Sequence, residues 1–312
     1  MNFMDWQSKQ VLVTGGAGFI GSHLSAKLLE LGADVTVLDD CSAGDPVKVP
    51  SEAHFIEGCI TDSTTRASVL DEVDVVFHLA AIASVPLCEA DPERSDQVNR
   101  QASLEILQEA SCPIVFASSA AIYGEPVSIP INENHPIAPV GHYGEQKADV
   151  DNAIRSLGKG SNPAAALRFF NVFGQGQDPS SQYSGVLSIF IDRASTNSPI
   201  TIFGDGEQTR DFIHVSDVIA ALIKCGESLI EQGTSSPAHG ESFNVCTGQP
   251  VTLNQVVKVI EDCLGGKLEV GYQQVREGDI KHSSGDSSKL QQKLDWSQNI
   301  QLSEGLSDLI SN

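Results

Sequence analysis

The stretch KQVLVTGGAGFIGSHLSAKLLELGADVTVLDD, Lys9 to Asp40, decides the fold. Its apolar run Val11 to Thr14 reads as a buried strand. Glycines follow, and apolar residues then recur at helical spacing from Ile20 to Leu31 until Gly32 closes the helix. A second apolar run, Val35 to Leu38, completes a βαβ unit. Gly15, Gly18 and Gly21 stand in a G-x-x-G-x-x-G pattern between strand and helix. Glycine permits a tight turn and lets the backbone approach a pyrophosphate, whose charge then rests on the helix N-terminus. The second strand ends on Asp39, a carboxylate that can accept from both hydroxyls of a ribose and would repel a 2′-phosphate, so NAD is favoured over NADP. Glycines that merely tighten helix–sheet packing are the weaker reading where strand, turn, helix and second strand all stand in place.

Working outward, the alternation continues. Strands are expected at His54 to Glu57, Val75 to Leu79 and Ile114 to Ala117, with helices near Arg66 to Glu72 and Pro92 to Ala110. This predicts an α/β fold, a doubly wound parallel (Rossmann) sheet whose ligands sit beyond the carboxyl ends of its strands. A helix in ADVDNAIRSL and a strand AAALRFFNVFG come next, and the loop-rich GQGQDPSSQYSG reads as the crossing into a smaller C-terminal α/β substrate lobe. The expected division is 1–170 for the dinucleotide and 171–312 for the substrate, with segments near 205–245 returning to the first. The segment 232–241, QGTSSPAHGE, reads as an exposed loop.

At 312 residues and 40% hydrophobic, the chain can build a large core of one or two lobes. No run of 18 or more apolar residues occurs, and the start MNFMDWQSKQ lacks a basic-then-apolar leader, so a soluble cytoplasmic protein is expected. Seven cysteines, odd in number and without C-x-x-C pairs, argue against a disulfide framework and a zinc site. A formal charge of −22 with only 19 Lys+Arg disfavours nucleic acid and anionic membranes as partners. An anionic ligand would therefore have to gather the few arginines to one place.

HYGEQKADV sets Tyr143 and Lys147 four apart, on one face of a helix. A tyrosine with its ordinary pKa of about 10 is a poor base at neutral pH, but a nearby ammonium and a positively charged nicotinamide would favour the phenolate. In FASSAAIYGE, Ser119 stands at the end of an apolar run, where such chemistry can use a hydroxyl.

The combination TGGAGFIGSHL, FHLAA, SSAAIYG, YGEQK, RFFNVFG, GDGEQTRDFIHVSDV and REGDIKHSSGDSSK resembles the extended short-chain dehydrogenase/reductase family, specifically nucleotide-sugar epimerases similar to UDP-galactose and UDP-N-acetylglucosamine 4-epimerases. The resemblance runs from Val11 to about Trp296. It implies that Tyr143 removes the proton of the sugar 4-OH, that Lys147 holds the nicotinamide ribose and biases Tyr143 toward phenolate, and that Ser119 hydrogen-bonds the same hydroxyl. Hydride then leaves C4 for NAD, the bound ketone turns its other face, and hydride returns with inverted configuration. Phe19, Ile20, Cys59, Ile60, Leu79, Ala80, Ala81, Asn99 and Ser118 would border the cofactor. Cys59 departs from the pattern, since relatives commonly carry Asp there to meet the adenine amine.

For the substrate, the resemblance implies Arg210 and Arg276 on the diphosphate, Asp279 on the uridine ribose and Phe203 against the uracil. Asn171 and Ser84 would face the sugar or its diphosphate. Ser283 stands where glucose- and galactose-restricted relatives carry a bulky tyrosine, which leaves room for an N-acetyl group and favours UDP-N-acetylhexosamines. Asp178, where relatives that take a uronate usually carry arginine, argues against UDP-glucuronate. Ala120 and Ala121 replace the acids of 4,6-dehydratases and decarboxylases, the nearest alternatives on this scaffold. A non-catalytic NAD-binding protein, the other alternative, need not keep Ser119, Tyr143 and Lys147 together. A homodimer through helices near 92–110 and 143–157 is the family expectation.

Overall fold

The computed structural model describes residues 4–177, 185–275 and 280–311. Its strands are β1 (Gln10–Thr14), β2 (Asp34–Asp39), β3 (His54–Glu57), β4 (Val75–His78), β5 (Ile114–Ser119), β6 (Ala164–Phe169), β7 (Asn171–Phe173), β8 (Ile200–Phe203), β9 (Thr209–Arg210), β10 (Phe212–His214), β11 (Glu241–Val245), β12 (Val251–Thr252) and β13 (Val270–Gln273). The helices are α1 (Phe19–Glu30), α2 (Ser63–Leu70), α3 (Val85–Ala90), α4 (Pro92–Asp96), α5 (Ser103–Glu109), α6 (His142–Arg155), α7 (Val186–Ser195), α8 (Val215–Gln232), α9 (Leu253–Leu264), α10 (Ser288–Leu294) and α11 (Leu302–Ser311).

Seven strands form one sheet in the order β11-β6-β5-β4-β1-β2-β3, every pairing parallel. The order reverses direction between β1 and β4, which opens a crevice at the carboxyl ends of those two strands. Every residue of β4 and β6 is buried, as a sheet covered on both faces requires. Leu24 and Leu28 of α1 and Val218 and Leu222 of α8 join Trp6 and Trp296 on one face. Val69, Ile106, Val150 and Ile154 cover the other. A separate cluster of Phe173, Leu187, Phe190, Ile202, Val256, Ile260 and Leu306 is the core of the smaller lobe. There β7 pairs with β10, β8 with β13 and β9 with β12. α9 starts on a Thr252–Gln255 capping box and ends on Gly265 in the left-handed conformation.

Three expectations are corrected. The run AAALRFFNVFG is two strands: the main sheet ends at Phe169, Phe170 turns into a buried cluster with Tyr123 and Cys246, and β7 leaves to pair with β10. The helix expected over Pro92 to Ala110 contains a π-helical stretch, Gln97–Ala102. The segment 232–241 is no exposed loop. It carries the chain back to β11, so Ser236 and Ala238 are buried, and Ser236 bonds Ser228 while Gly240 N donates to Ala164 O. Among the described residues all seven cysteines are free thiols. No helix among them is long and apolar enough to cross a membrane.

Candidate active site at the switch point

Each glycine of the first turn has a steric reason. Gly15 has φ of 73°, and a Cβ there would stand 2.7 Å from Ala80 N; one at Gly21 would overlap the Gly15 carbonyl oxygen. A Cβ at Gly18 would lie 3.2 Å from that same oxygen, and Gly18 caps α1 without a side chain. The amides of the first turn, at Phe19 and Ile20, are therefore left for a ligand. Asp39 accepts from Ala17 N at 3.0 Å and Cys41 N at 2.9 Å, which aims its carboxylate along the rim of the turn, and burial raises its pKa. This capless helix start, glycine cradle and strand-end carboxylate fit a dinucleotide. Gly21→Ala is expected to weaken NAD binding by about 5- to 150-fold, because the Gly15 backbone must shift at a cost of roughly 1–3 kcal/mol. Titration of the purified variant with NAD checks this, and unaltered affinity would contradict the cradle.

Across the crevice, β4 and the π-helical stretch are tied by buried bonds. Ala80 N donates to Thr14 Oγ1 at 3.2 Å, Thr14 Oγ1 bonds His78 Nδ1 at 2.7 Å, His78 Nε2 bonds Ser103 Oγ at 2.8 Å, and Ser103 donates to Asn99 O at 2.8 Å. Burial, with the nearby Lys147, lowers the His78 pKa to about 3, so the ring is neutral. Asn99 grips both backbone groups of Ile82, at 2.8 and 3.1 Å, and donates to Gln146 Oε1 of α6 at 2.9 Å. One extra residue in the helical turn is a common device for aiming such a side chain.

Alternation along β5 sends its consecutive serines to opposite sides. Ser119 is half-buried; its Oγ accepts from Ala121 N at 3.1 Å, and its hydroxyl lies toward the phenol of Tyr143, whose pKa it lowers. Ser118, expected at the cofactor or sugar, is buried, and its hydroxyl is instead committed to Asp151 at 2.8 Å. Lys147 lies one turn beyond Tyr143, donates to Ala117 O at 2.9 Å and stands 4.6 Å from the centre of the Phe116 ring. In the protein alone, burial governs both groups: it pushes the Tyr143 phenol up to about 12, against the Ser119 hydrogen bond that lowers it. The same burial pulls the Lys147 ammonium down to about 7. The lowering of the phenol by the Lys147 ammonium, expected from sequence, does not operate in the protein alone, because burial strips that ammonium of its proton before the phenol ionises.

Several contributors were invisible in the sequence motifs. α6 has no side-chain cap of its own, and Glu89 of α3 reaches over to accept from His142 N at 2.7 Å. Two turns below Tyr143, Asp151 forms a fully buried pair with Arg168 of β6, at 2.6 and 3.0 Å. Arg168 also donates to Tyr123 OH at 2.8 Å, and Ser242 donates to Asp151 at 2.8 Å.

Of the residues expected at the substrate, Arg210, Phe203 and Ser283 come together. Ser283 N donates to Thr209 O at 3.1 Å beside Arg210, and all three are half-buried. Gln208, between them, donates to Phe203 O at 2.6 Å while its buried Oε1 has no partner among the described residues. Asn171 donates to Asp211 O at 3.1 Å. Ser84 is buried and caps α3 by accepting from Leu87 N at 3.1 Å, a task other than the substrate contact expected of it. Ile60 points into the core, and just beyond β3 the Cys59 sulfur accepts from Thr61 Oγ1 at 3.2 Å and helps to lower the Asp40 pKa. Leu79, Ala80 and Ala81 line the end of β4. Asp178, Arg276 and Asp279 lie outside the described residues.

Residues 11–246 match the NAD dependent epimerase/dehydratase family. A putative UDP-glucose 4-epimerase of Methanocaldococcus jannaschii is 35% identical over 308 residues, 96% of this chain and 97% of that protein. Among solved structures, the UDP-N-acetylglucosamine 4-epimerase of Methanobrevibacter ruminantium in complex with UDP-N-acetylmuramic acid is 34% identical, covers 98% of both chains and superposes with a TM-score of 0.90. The UDP-glucose 4-epimerase of Thermotoga maritima with UDP-glucose is also 34% identical, over 97% of both chains, with a TM-score of 0.89.

Proposed function

The chain belongs to the NAD dependent epimerase/dehydratase family, and from that premise we propose that it is an NAD-dependent UDP-sugar 4-epimerase that interconverts UDP-GlcNAc and UDP-GalNAc and also accepts UDP-glucose and UDP-galactose. The observation that carries this is the placement of Ser119 beside Tyr143 at the switch point, with Lys147 one helical turn away and tied to Ala117 O. Bound NAD supplies the hydride acceptor for C4. Tyr143 takes the proton of the 4-hydroxyl and returns it when the ketone is reduced, and Ser119 orients that hydroxyl and shares its proton. Lys147, fixed by Ala117 O, presents its ammonium to the nicotinamide ribose. Ala120 and Ala121, next after Ser119, offer no acid or base to eliminate or decarboxylate, so the ketone can only be reduced again.

Residues 1–170, with segments near 205–245, act as the cofactor domain and 171–312 as the UDP-sugar lobe. In the latter Arg210 and Arg276 gather the diphosphate, Asp279 the ribose and Phe203 the uracil. The small side chain of Ser283, beside Thr209 and Arg210, leaves the space an N-acetyl group needs. Two copies associate through the helices near 92–110 and 143–157, and a monomeric sedimentation profile would remove that part.

Relative kcat/KM for UDP-GlcNAc, UDP-GalNAc, UDP-glucose, UDP-galactose and UDP-glucuronate, with the product configuration at C4 followed by NMR, tests the reading. Ser283→Tyr is expected to lower kcat/KM for the N-acetyl substrates about tenfold or more and to leave UDP-glucose within a few-fold. Activity confined to UDP-glucose and UDP-galactose in the parent protein would overturn the substrate assignment, and a 6-deoxy-4-keto product would overturn the reaction.

A further inference from the structure

Two side chains of the nucleotide-binding half reach consecutive carbonyls of the segment that leaves it. Lys48, in the short turn Pro46–Lys48, donates to Gly176 O at 2.9 Å across 128 residues of sequence. His23, in the second turn of α1, bonds Gln175 O through Nε2 at 2.8 Å. A carbonyl only accepts, so Nε2 carries the hydrogen. Both anchors belong to the glycine turn. Asp45 N donates to Ala17 O at 3.0 Å, inside the turn, and so docks against it the loop that bears Lys48. The ring of Phe19, first residue of α1, meets His23 edge-on at 5.7 Å, and a Cβ at Gly174 would stand 3.4 Å from that ring. Segment 174–177 is thus seated on the helix start where the diphosphate of a dinucleotide rests.

We propose that Lys48 and His23 are positioning residues for cofactor retention: they clasp segment 174–177 over the glycine turn and keep NAD in place from one turnover to the next. The proposal rests on the epimerase reading, in which the cofactor ends each cycle in the oxidised form in which it began it and must not leave. Lys48 also brings a positive charge to the rim of the turn in a chain of net charge −22. The clasp acts on the exit of the cofactor and not on the UDP-sugar side, where Arg210 and Ser283 stand.

Release of NAD from the loaded enzyme, followed by trapping it with an excess of a second NAD-requiring dehydrogenase and its alcohol, tests this. Lys48→Met and His23→Phe are each expected to accelerate release about fivefold, and the pair about 25-fold, as the loss of one and two ordinary hydrogen bonds implies. Lys48→Arg should restore release to within about twofold of the parent, and UDP release should stay within about twofold in every variant. Release of NAD from the double variant at the parent rate would refute the clasp. Equal acceleration of NAD and UDP release would also refute it, because a general loosening would then be the cause. A parent protein that takes up no NAD at all would instead refute the epimerase reading beneath it.

Discussion

Tyr143→Phe is expected to lower kcat about 10³-fold, within the range that a positioned general base contributes, while the purified protein keeps its NAD. The ring is retained, so the packing of α6 over the cleft is unchanged; what disappears is the one group that can exchange a proton with the 4-hydroxyl. Burial holds the free phenol at about 12, which means that at neutral pH the protein alone keeps Tyr143 protonated. The Ser119 hydrogen bond works in the opposite direction. The rest of the lowering must come from the positive charge of the oxidised nicotinamide, so kcat/KM of the parent should rise with pH up to the pKa that Tyr143 has in the NAD-loaded enzyme. That rise should vanish in the phenylalanine variant. Ser119→Ala should fall by a smaller factor, about 10 to 100-fold, because it removes an orienting partner and leaves the base. Turnover of Tyr143→Phe within tenfold of the parent would reassign the base.

Arg168→Ala should cost about 3–5 kcal/mol, since it strands the Asp151 carboxylate among buried donors with no counter-charge. For a chain of this size the midpoint of thermal unfolding should then drop by roughly 5–8 °C. The pair is fully buried and is shared with Ser118, Ser242 and Tyr123. Removing both charges together, as Arg168→Met with Asp151→Leu, should recover most of the loss. Calorimetry on the parent, the single and the double variants separates these outcomes: a shift of less than about 2 °C for Arg168→Ala would mean that the pair contributes little to stability. Because Asp151 lies on the face of α6 that carries Tyr143 and Lys147, the pair also fixes the height of that helix over Ser119.

The parts of this architecture legible in the sequence are those whose cause is local. The first βαβ unit, its glycines and Asp39 were readable because turn geometry and strand ends depend on neighbouring residues. Tyr143 and Lys147 were readable from helical spacing. That same spacing extends to Asp151, so its place on the shared face was available, but its partner Arg168 sits on another strand and nothing local announces it. Ser118 and Ser119 look alike in a list of residues, and only the strand alternation, with Asp151 waiting on one side, separates a core hydroxyl from one at the cleft. The reach of Lys48 to Gly176 O and the cap that Glu89 gives α6 are contacts between distant segments and left no pattern. The segment 232–241 misled because its Ser, Gly and His composition suits a loop, whereas its course beside β6 is set by the return to the sheet.

The bonds from Ala80 through Thr14, His78 and Ser103 to Asn99 begin at an amide, which can only give a hydrogen, and end at a carbonyl, which can only take one. With the ends fixed, each hydroxyl between them has a single orientation, and the histidine must carry its hydrogen on Nε2. The thread therefore has one sense and cannot be half reversed: turning any member leaves two donors, or two acceptors, facing each other in a dry interior. The loop after β4 and the π-turn that grips it are consequently locked as a unit, and this wall of the cleft is set before any ligand arrives.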